Sequence, residues 1–335
     1  MKQNKDIVVS ILVPVYGVEK YIERCARSLF EQTYEHLEYI FVDDCSPDNS
    51  IGFLNQVLED YPHRKPHVRI VRHERNRGLA AARNTAVDNC STEFLMHVDS
   101  DDFIDVTLTE KVVISQMQTN ADIVTAGACG YHDGQLFSLT NALNTIPHSY
   151  LVEILKGHAL PRIWGRLIRR SLYDDYGIHC ERGVNMGEDK YVISQLLYYA
   201  SKITFFKENL YFYTMSACGS YTSIFKPDVA FQSLRTRRLL ESFFMNKEEV
   251  FLEALNSTKA LAAACYINDC ARFNEFGDFY REARMFANEL TLVQCKEIPF
   301  YRRIVLHIKN KPLLRIYVQS CDRLLKLKKK LYDQK

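Results

Sequence analysis

The chain lacks any uncharged apolar run near the ~18–20 residues a membrane-spanning helix needs. Even Ile7–Val15 is interrupted by Ser10 and Pro14. It shows no secretory leader either, because Met-Lys-Gln-Asn-Lys-Asp passes straight into a β-branched run, so a cytoplasmic location is expected. The ten cysteines form no CxxC pair and are scattered, which predicts reduced thiols and no structural zinc. Neither GxGxxG nor GxxxxGK[ST] occurs, which weighs against a dehydrogenase or a P-loop NTPase. Internal repeats and Gly/Ser linkers are absent as well.

What remains is an ordinary globular composition. With 335 residues, 47% hydrophobic, 25% charged and 12% aromatic, the chain can bury a real core in about two domains, or in one large α/β unit with an appendage. The net charge of +2 conceals a split: residues 296–335 carry 12 Lys/Arg against Glu297, Asp322 and Asp333. A basic tail of this kind suits an anionic surface.

The first hundred residues alternate strand and helix patterns. Strands are predicted over Ile7–Val15, Glu38–Val42, Val68–His73 and Phe94–Val98, and helices over Val18–Phe30, Ile51–Tyr61 and Leu79–Asn89. Such alternation implies a mostly parallel sheet with helices on both faces, whose ligands bind outside the carboxyl ends of the strands. Further strands are expected at Asp122–Ala126 and Lys202–Phe206, with a helix at Lys190–Ala200. Beyond Pro227 the pattern is helical over Asp228–Phe244, Lys247–Phe273 and Phe279–Cys295.

Two acidic clusters close predicted strands. Crowded carboxylates in Asp99-Ser100-Asp101-Asp102 repel one another, a cost that a hard cation such as Mg²⁺ or Mn²⁺ removes; acids at a helix start are the plainer reading. An EF-hand fails because Phe103 and Ile104 replace a ligand and the turn glycine. In Asp43-Asp44-Cys45-Ser46-Pro47-Asp48-Asn49-Ser50, residues 48–50 read as a helix cap, whereas Asp44 at the strand end can accept a hydrogen bond from a nucleobase N–H. Within Asn76–Asn84, Arg83 either compensates phosphate charge or is a surface arginine on an alanine-rich helix. Gly187-Glu188-Asp189 opens an amphipathic helix, where two acids suit the helix dipole and one can serve as a general base.

Taken together, Val9–Tyr16 with Glu19, Tyr21 and Ile22, then Ser28-Leu29, Gln32-Thr33-Tyr34, Val42–Ser46, Asn76–Asn84, Asp99–Asp102, Trp164-Gly165-Arg166-Leu167, Gly187-Glu188-Asp189 and Tyr211–Ser220 resemble the inverting family 2 glycosyltransferases. The resemblance covers about residues 7–220 and implies a Rossmann-like GT-A nucleotide-sugar fold with a mostly parallel mixed sheet. The expected domains are 1–225, divided into a nucleotide-binding half 1–105 and an acceptor-binding half 106–225, and a helical C-terminal region 226–335 with a basic amphipathic tail.

The resemblance further implies that Pro14, Val15 and Tyr16 line the base pocket and that Glu19 lies near the ribose. Asp44 reads the base, Asp99 lies by the ribose and metal, and Arg83 and Ser100 join the nucleotide-binding set. Asp101 is the implied ligand of Mn²⁺ or Mg²⁺ on the diphosphate, Asp189 the base, and Glu188 and Trp164 the acceptor contacts. The implied enzyme is of the hexosyltransferase type, passing a UDP-linked sugar to a glycan or lipid-linked acceptor of a surface polysaccharide. Two departures stand out: Gly17 replaces the usual asparagine, and Cys45 the usual glycine in a turn where φ > 0 would strain it. QxxRW is missing, which favours single additions over processive synthesis.

The tail has its own alternatives. Leu314, Tyr317, Val318, Cys321, Leu324 and Leu325 share a face that either lies on anionic lipid at the inner membrane face or packs on the body. Nucleic acid is not expected, since no binding module accompanies the charge. Rival functions are a non-catalytic nucleotide-sugar or glycan binder of the same fold, and a DxDx[TV] phosphotransferase, which Phe103 disfavours.

Overall fold

The computed structural model describes residues 7–139, 144–215, 227–296 and 298–332. The chain divides into two compact units, residues 1–154 with 158–218, and residues 155–157 with 219–335.

The first unit is built on a nine-stranded sheet. All seven residues of β1 (Val9–Val15) are buried, as a strand covered on both faces must be. It pairs in parallel with β2 (Leu37–Asp43), and β2 pairs in parallel with β3 (Val68–Arg72). On its other side β1 pairs with β4 (Phe94–His97), but only from Val9 to Leu12. Pro14 therefore lies beyond that ladder, where its missing N–H breaks no bond to β4.

Strand order reverses between β1 and β4, which makes their carboxyl ends a switch point open to ligand. The interleaved helices are α1 (Ile22–Phe30), α2 (Ser50–Glu59) and α3 (Leu79–Asp88). Ala80, Ala81, Ala82 and Ala86 are buried in α3, and these short side chains let it lie close on β1 and β2.

After β4 come β5 (Phe103–Ile104), α4 (Leu108–Thr119), β6 (Ile123–His132), β7 (Gln135–Ser138), α5 (Pro147–Leu155), β8 (Arg166–Arg169), α6 (Ser171–Tyr176), α7 (Glu188–Tyr199) and β9 (Ile203–Thr214). β8 runs antiparallel to β4 and β6, and β9 runs parallel to β6. Both β6 and β9 extend well past their expected ends. A register shift around Gly127 carries the pairing onward, and a Cβ there would sit 2.4 Å from the Glu208 carbonyl oxygen.

The second unit is helical: α8 (Pro227–Phe244), α9 (Glu249–Ser257), α10 (Lys259–Phe273), α11 (Asp278–Asn288), α12 (Leu292–Lys296), α13 (Phe300–His307) and α14 (Lys311–Tyr332). Two expected long helices are each broken. The first divides at Thr258, where the Thr258 hydroxyl donates to the Leu255 carbonyl and Arg237 donates to that same carbonyl at 2.6 Å, so both compete with the helical ladder. The second restarts at Thr291, whose hydroxyl accepts the Gln294 N–H while the Gln294 side chain accepts the Thr291 N–H, a reciprocal capping box. In α14, Leu314 and Val318 are fully buried in this unit's core and Asp322 accepts two 2.7 Å bonds from Arg272. The expected apolar face is thus packed on its own helical unit. Leu324, also expected there, is exposed instead, and the side chains of Leu325 and the lysines at 326–330 lie outside the described residues.

Candidate active site

The loops after β1 and β2 are clamped together by the Ser-Pro-Asp-Asn-Ser turn. Ser46 Oγ accepts the Gly17 N–H, Ser50 Oγ accepts the Val18 N–H, and Asp48 accepts the N–H groups of both Glu19 and Ser50. Burial alone would raise the Asp48 carboxyl, but the bonds from Ser50, Ser46 and Glu19 outweigh it and hold the group at about 2. Asp48 does serve the start of α2, as its sequence suggests, while its other oxygen fixes the preceding loop. Glu19 returns the contact by accepting the Asn49 N–H at 3.2 Å. Pro14 and Val15 are buried at the strand end, and Tyr16 beyond them is 48% exposed.

Cys45 adopts φ +58°, so the left-handed turn persists although the residue is not glycine. Gly17 takes φ +66°, a region that asparagine and glycine both tolerate. Asp44 is 2% exposed. Its carboxylate accepts the Arg77 and Gly78 N–H groups at 2.8 Å and contacts His73 Nδ1 at 2.6 Å. Gly78 is required there twice over, by φ +86° and because a Cβ would meet the Asn185 side chain at 2.4 Å.

The strand-end tetrad divides by partners. Asp102 is fully buried and accepts the Tyr211 hydroxyl and the Thr214 N–H, each at 2.7 Å. Tyr211 in turn accepts the Asp99 N–H, and its ring stacks on Trp164 with centroids 4.3 Å apart. Trp164, 7% exposed, is thereby part of the wall behind the tetrad. Ser100 is buried beside it. Burial first, and then neighbouring Asp99, raises the Asp101 carboxyl to about 6 against the pull of Arg83 and Arg24.

Arg83 joins the two halves of the site. Only 2% exposed, it places Nη2 3.1 Å from Asp99 and 3.2 Å from Asp189, with Nε 3.7 Å from Glu188. Burial opposes its charge, yet the three carboxylates together hold it firmly protonated. Neither a surface position nor a contact confined to the nucleotide side describes it. Arg83 Nε and Nη1 have no hydrogen-bond partner, and Asp99 Oδ1 and Asp189 Oδ1 meet the Arg83 charge as ion pairs without a hydrogen bond, so part of the buried polar capacity at this edge is left open. Burial, opposed by Arg83 and assisted by Glu188 and Asp99, raises Asp189 to about 8. The Asn185 side chain accepts the Ala80 N–H at 2.9 Å and ties the segment before α7 to the start of α3.

The residues fit a hard cation in a limited way. No group of three or more His, Cys, Asp or Glu is placed to hold a metal among the described residues. Asp99 and Asp101 remain, and their mutual repulsion is the cost that Mg²⁺ or Mn²⁺ relieves; such ions commonly take one or two carboxylates and complete their shell with water and substrate phosphate oxygens. Asp102, committed to Tyr211 and Thr214, is not available.

Comparison with known proteins decides the family. The profile described as "Glycosyl transferase family 2" matches residues 10–180, just over half of the 335 residues. The chain belongs to this family. Glycosyltransferase GlyA of Streptococcus pneumoniae is 27% identical to this family 2 chain over 220 residues, covering 62% of it and 30% of GlyA. EpsJ of Bacillus subtilis, an uncharacterized glycosyltransferase, is 29% identical over 216 residues, covering 62% of this chain and 60% of EpsJ. The chain thus spans less than two thirds of either relative. Among structures, Staphylococcus aureus TarS (residues 1–349, with UDP-GlcNAc) aligns at TM-score 0.62 and 21% identity over 94% of this chain and 88% of TarS. The mannosyltransferase PcManGT of Pyrobaculum calidifontis, with GDP-Man and Mn²⁺, aligns at 0.54 and 15% identity over all of this chain and 92% of that one. These likenesses establish the GT-A fold.

Arg24, Asn185 and the Tyr211 hydroxyl are contributors that local sequence patterns do not disclose. Arg24 donates to the Asp101 carbonyl and to Thr214 Oγ1, and its partners lie 77 and 190 residues away.

Proposed function

We propose that this chain is a metal-dependent inverting transferase that moves a sugar from a UDP-linked donor to a hydroxyl of a glycan or lipid-linked acceptor in surface polysaccharide synthesis. The observation that carries the reading is Arg83, one buried cation spanning Asp99 on the donor side and Glu188 and Asp189 on the acceptor side. Asp189, poised near neutral pH, takes the acceptor hydroxyl proton while that oxygen attacks the anomeric carbon from the face opposite the leaving diphosphate. Glu188 orients the acceptor. Tyr16, Asp44 and Glu19 receive the nucleoside; a UDP-linked donor is supported by the similarly folded TarS, whose structure holds UDP-GlcNAc. A Mg²⁺ or Mn²⁺ ion on Asp101 and Asp99 would offset charge on the diphosphate as it departs.

A cytoplasmic site at the membrane face is part of this proposal. No helix among the described residues is long and apolar enough to cross a membrane. On α14, Leu313, Ile316 and Leu324 are 55%, 62% and 66% exposed beside Lys311, Arg315 and Arg323, a pattern suited to anionic lipid. Co-sedimentation with phosphatidylglycerol but not phosphatidylcholine vesicles supports it; equal partitioning into both removes it.

The main test is calorimetric titration of UDP, GDP, CDP and dTDP with Mn²⁺ and with EDTA, on wild type and Asp101→Ala. Metal-dependent binding of UDP, lost in the variant, is expected. Absence of binding to every nucleotide would leave a retained fold without its chemistry.

A further inference from the structure

A groove of about 1020 Å³ lies between α3 and the segment Tyr173–Gly183, outside the carboxylate edge. Its size is that of a cleft for an extended ligand and not for a single small ion. The walls are fixed to each other: Asn84 on α3 donates to the Cys180 carbonyl and accepts the Cys180 N–H, both at 2.8 Å. Buried Tyr173 and Ile178 are among the lining residues.

Three arginines line this groove. Arg75 and Arg77 precede the first turn of α3, and Arg182 faces the same groove from the opposite segment. All three are exposed, and none has an acidic partner among the described residues. The lining acids are placed otherwise. Asp88 is at the far end of α3, ~15 Å along its axis. Asp174 is paired with Arg170 at 2.5 Å, and Glu181 is half-buried with interactions of its own. Three open guanidinium forks lining one cleft match the planar, multidentate acceptor pattern of phosphate oxygens. Gly183, six residues before Asp189, also lines the groove, and Asn185 fixes the intervening segment to α3.

We propose that this groove binds the phosphate groups of the acceptor, either along a phosphodiester-containing chain or in the diphosphate of a lipid-linked saccharide. The proposal rests on the transferase reading for the word acceptor. It adds a substrate class: acceptors carrying phosphate near the receiving sugar.

The test uses the full chain and two probes, a fluorescein-labelled inorganic polyphosphate of about fifteen units and a polyprenyl diphosphate in phosphatidylcholine vesicles. Arg75→Glu/Arg182→Glu is expected to weaken binding of at least one probe by about tenfold or more, with UDP binding unchanged. Loss on the polyphosphate assigns the groove to phosphate along a chain, and loss on the vesicle probe alone assigns it to the lipid diphosphate. Arg75→Gln/Arg182→Gln should give a smaller loss in the same direction. Lys309→Glu, which removes a charge from the basic tail outside the exposed face of α14, should leave binding in place. If wild type binds neither probe, if the arginine variants bind as wild type does, or if the tail variant alone loses binding, the proposal is overturned. UDP titration of the same samples reads the donor site separately, so a wild type that binds polyphosphate through these arginines but no nucleotide would sink the transferase reading while leaving the groove's ligand class standing.

Discussion

Two strand ends in this molecule carry acidic residues that look alike in sequence and differ in what surrounds them. At the end of β2, Asp44 is met by two backbone N–H groups and a histidine, so its hydrogen-bonding partners come from the chain itself. After β4, Asp99 and Asp101 sit close enough for Asp99 to raise Asp101, and Asp99 Oδ1 lacks any hydrogen bond. Asp189 shares the second condition across Arg83. Asp44 is thus held in a fixed position by the chain, whereas Asp99 and Asp189 share one guanidinium without hydrogen bonds at these oxygens and keep capacity for a ligand.

The largest expected effect separates chemistry from structure at Asp189. Asp189→Asn removes the proposed base and should lower transfer by ~10²–10⁴-fold, with UDP affinity nearly unchanged. Single-turnover transfer beside calorimetry checks this, and a variant that turns over like wild type ends the assignment. Within the tetrad, Asp102→Ala leaves the Tyr211 hydroxyl and the Thr214 N–H without their acceptor, and should destabilise the fold by ~3 kcal/mol. Asp101→Asn should do the opposite. It removes a half-buried, repelled charge and keeps or raises the melting temperature, while metal-dependent UDP binding falls by ~10–100-fold. Thermal melts of the neighbouring variants, taken side by side, break the comparison if Asp101 is the more destabilising.

A smaller effect tests the coupling through Arg83. Asp189 is competent only when deprotonated, and its raised position near 8 means that kcat/KM should climb with pH and level off above about 8. Glu188 is one of the groups raising Asp189, so Glu188→Gln should move the inflection to lower pH. An inflection that stays fixed would show that the two carboxylates do not sense each other.

Most of the first unit is legible in the sequence because its signals are local. β1, β2 and β4 announce themselves as short apolar runs, and the acids that follow fall at the switch point that strand order creates. The environment of Arg83 is not legible, since Asp99 is 16 residues away and Asp189 is 106, and only the packing of α3 against the start of α7 brings them to one guanidinium. The same holds for Tyr211, whose hydroxyl reaches Asp102 across 109 residues. Apolar periodicity also stops short at Gly127 and runs on through Thr258, so it misplaces a strand end that depends on a bulge and a helix break that depends on competing side-chain bonds. Thr291 and Gln294 are the exception, a local signal at capping-box spacing that periodicity alone overlooks.

The smallest predicted effect concerns the turn that follows Asp44. Cys45 holds φ +58° without being glycine, a conformation that costs an L-residue roughly 1–2 kcal/mol. The turn keeps it because both flanks are fixed: Asp44 is anchored on the Arg77–Gly78 backbone, and Ser46 N–H donates to Asp43 at 2.8 Å. Cys45→Gly should relieve the strain, while the greater freedom of glycine in the unfolded chain returns ~0.5–1 kcal/mol of the gain. The expected outcome is therefore a modest net stabilisation, at most about 1 kcal/mol in a urea melt, with UDP affinity unchanged. A destabilised Cys45→Gly would mean that the half-buried thiol contributes packing the turn needs, and that this strand end, like the one after β4, is held at some cost to the fold.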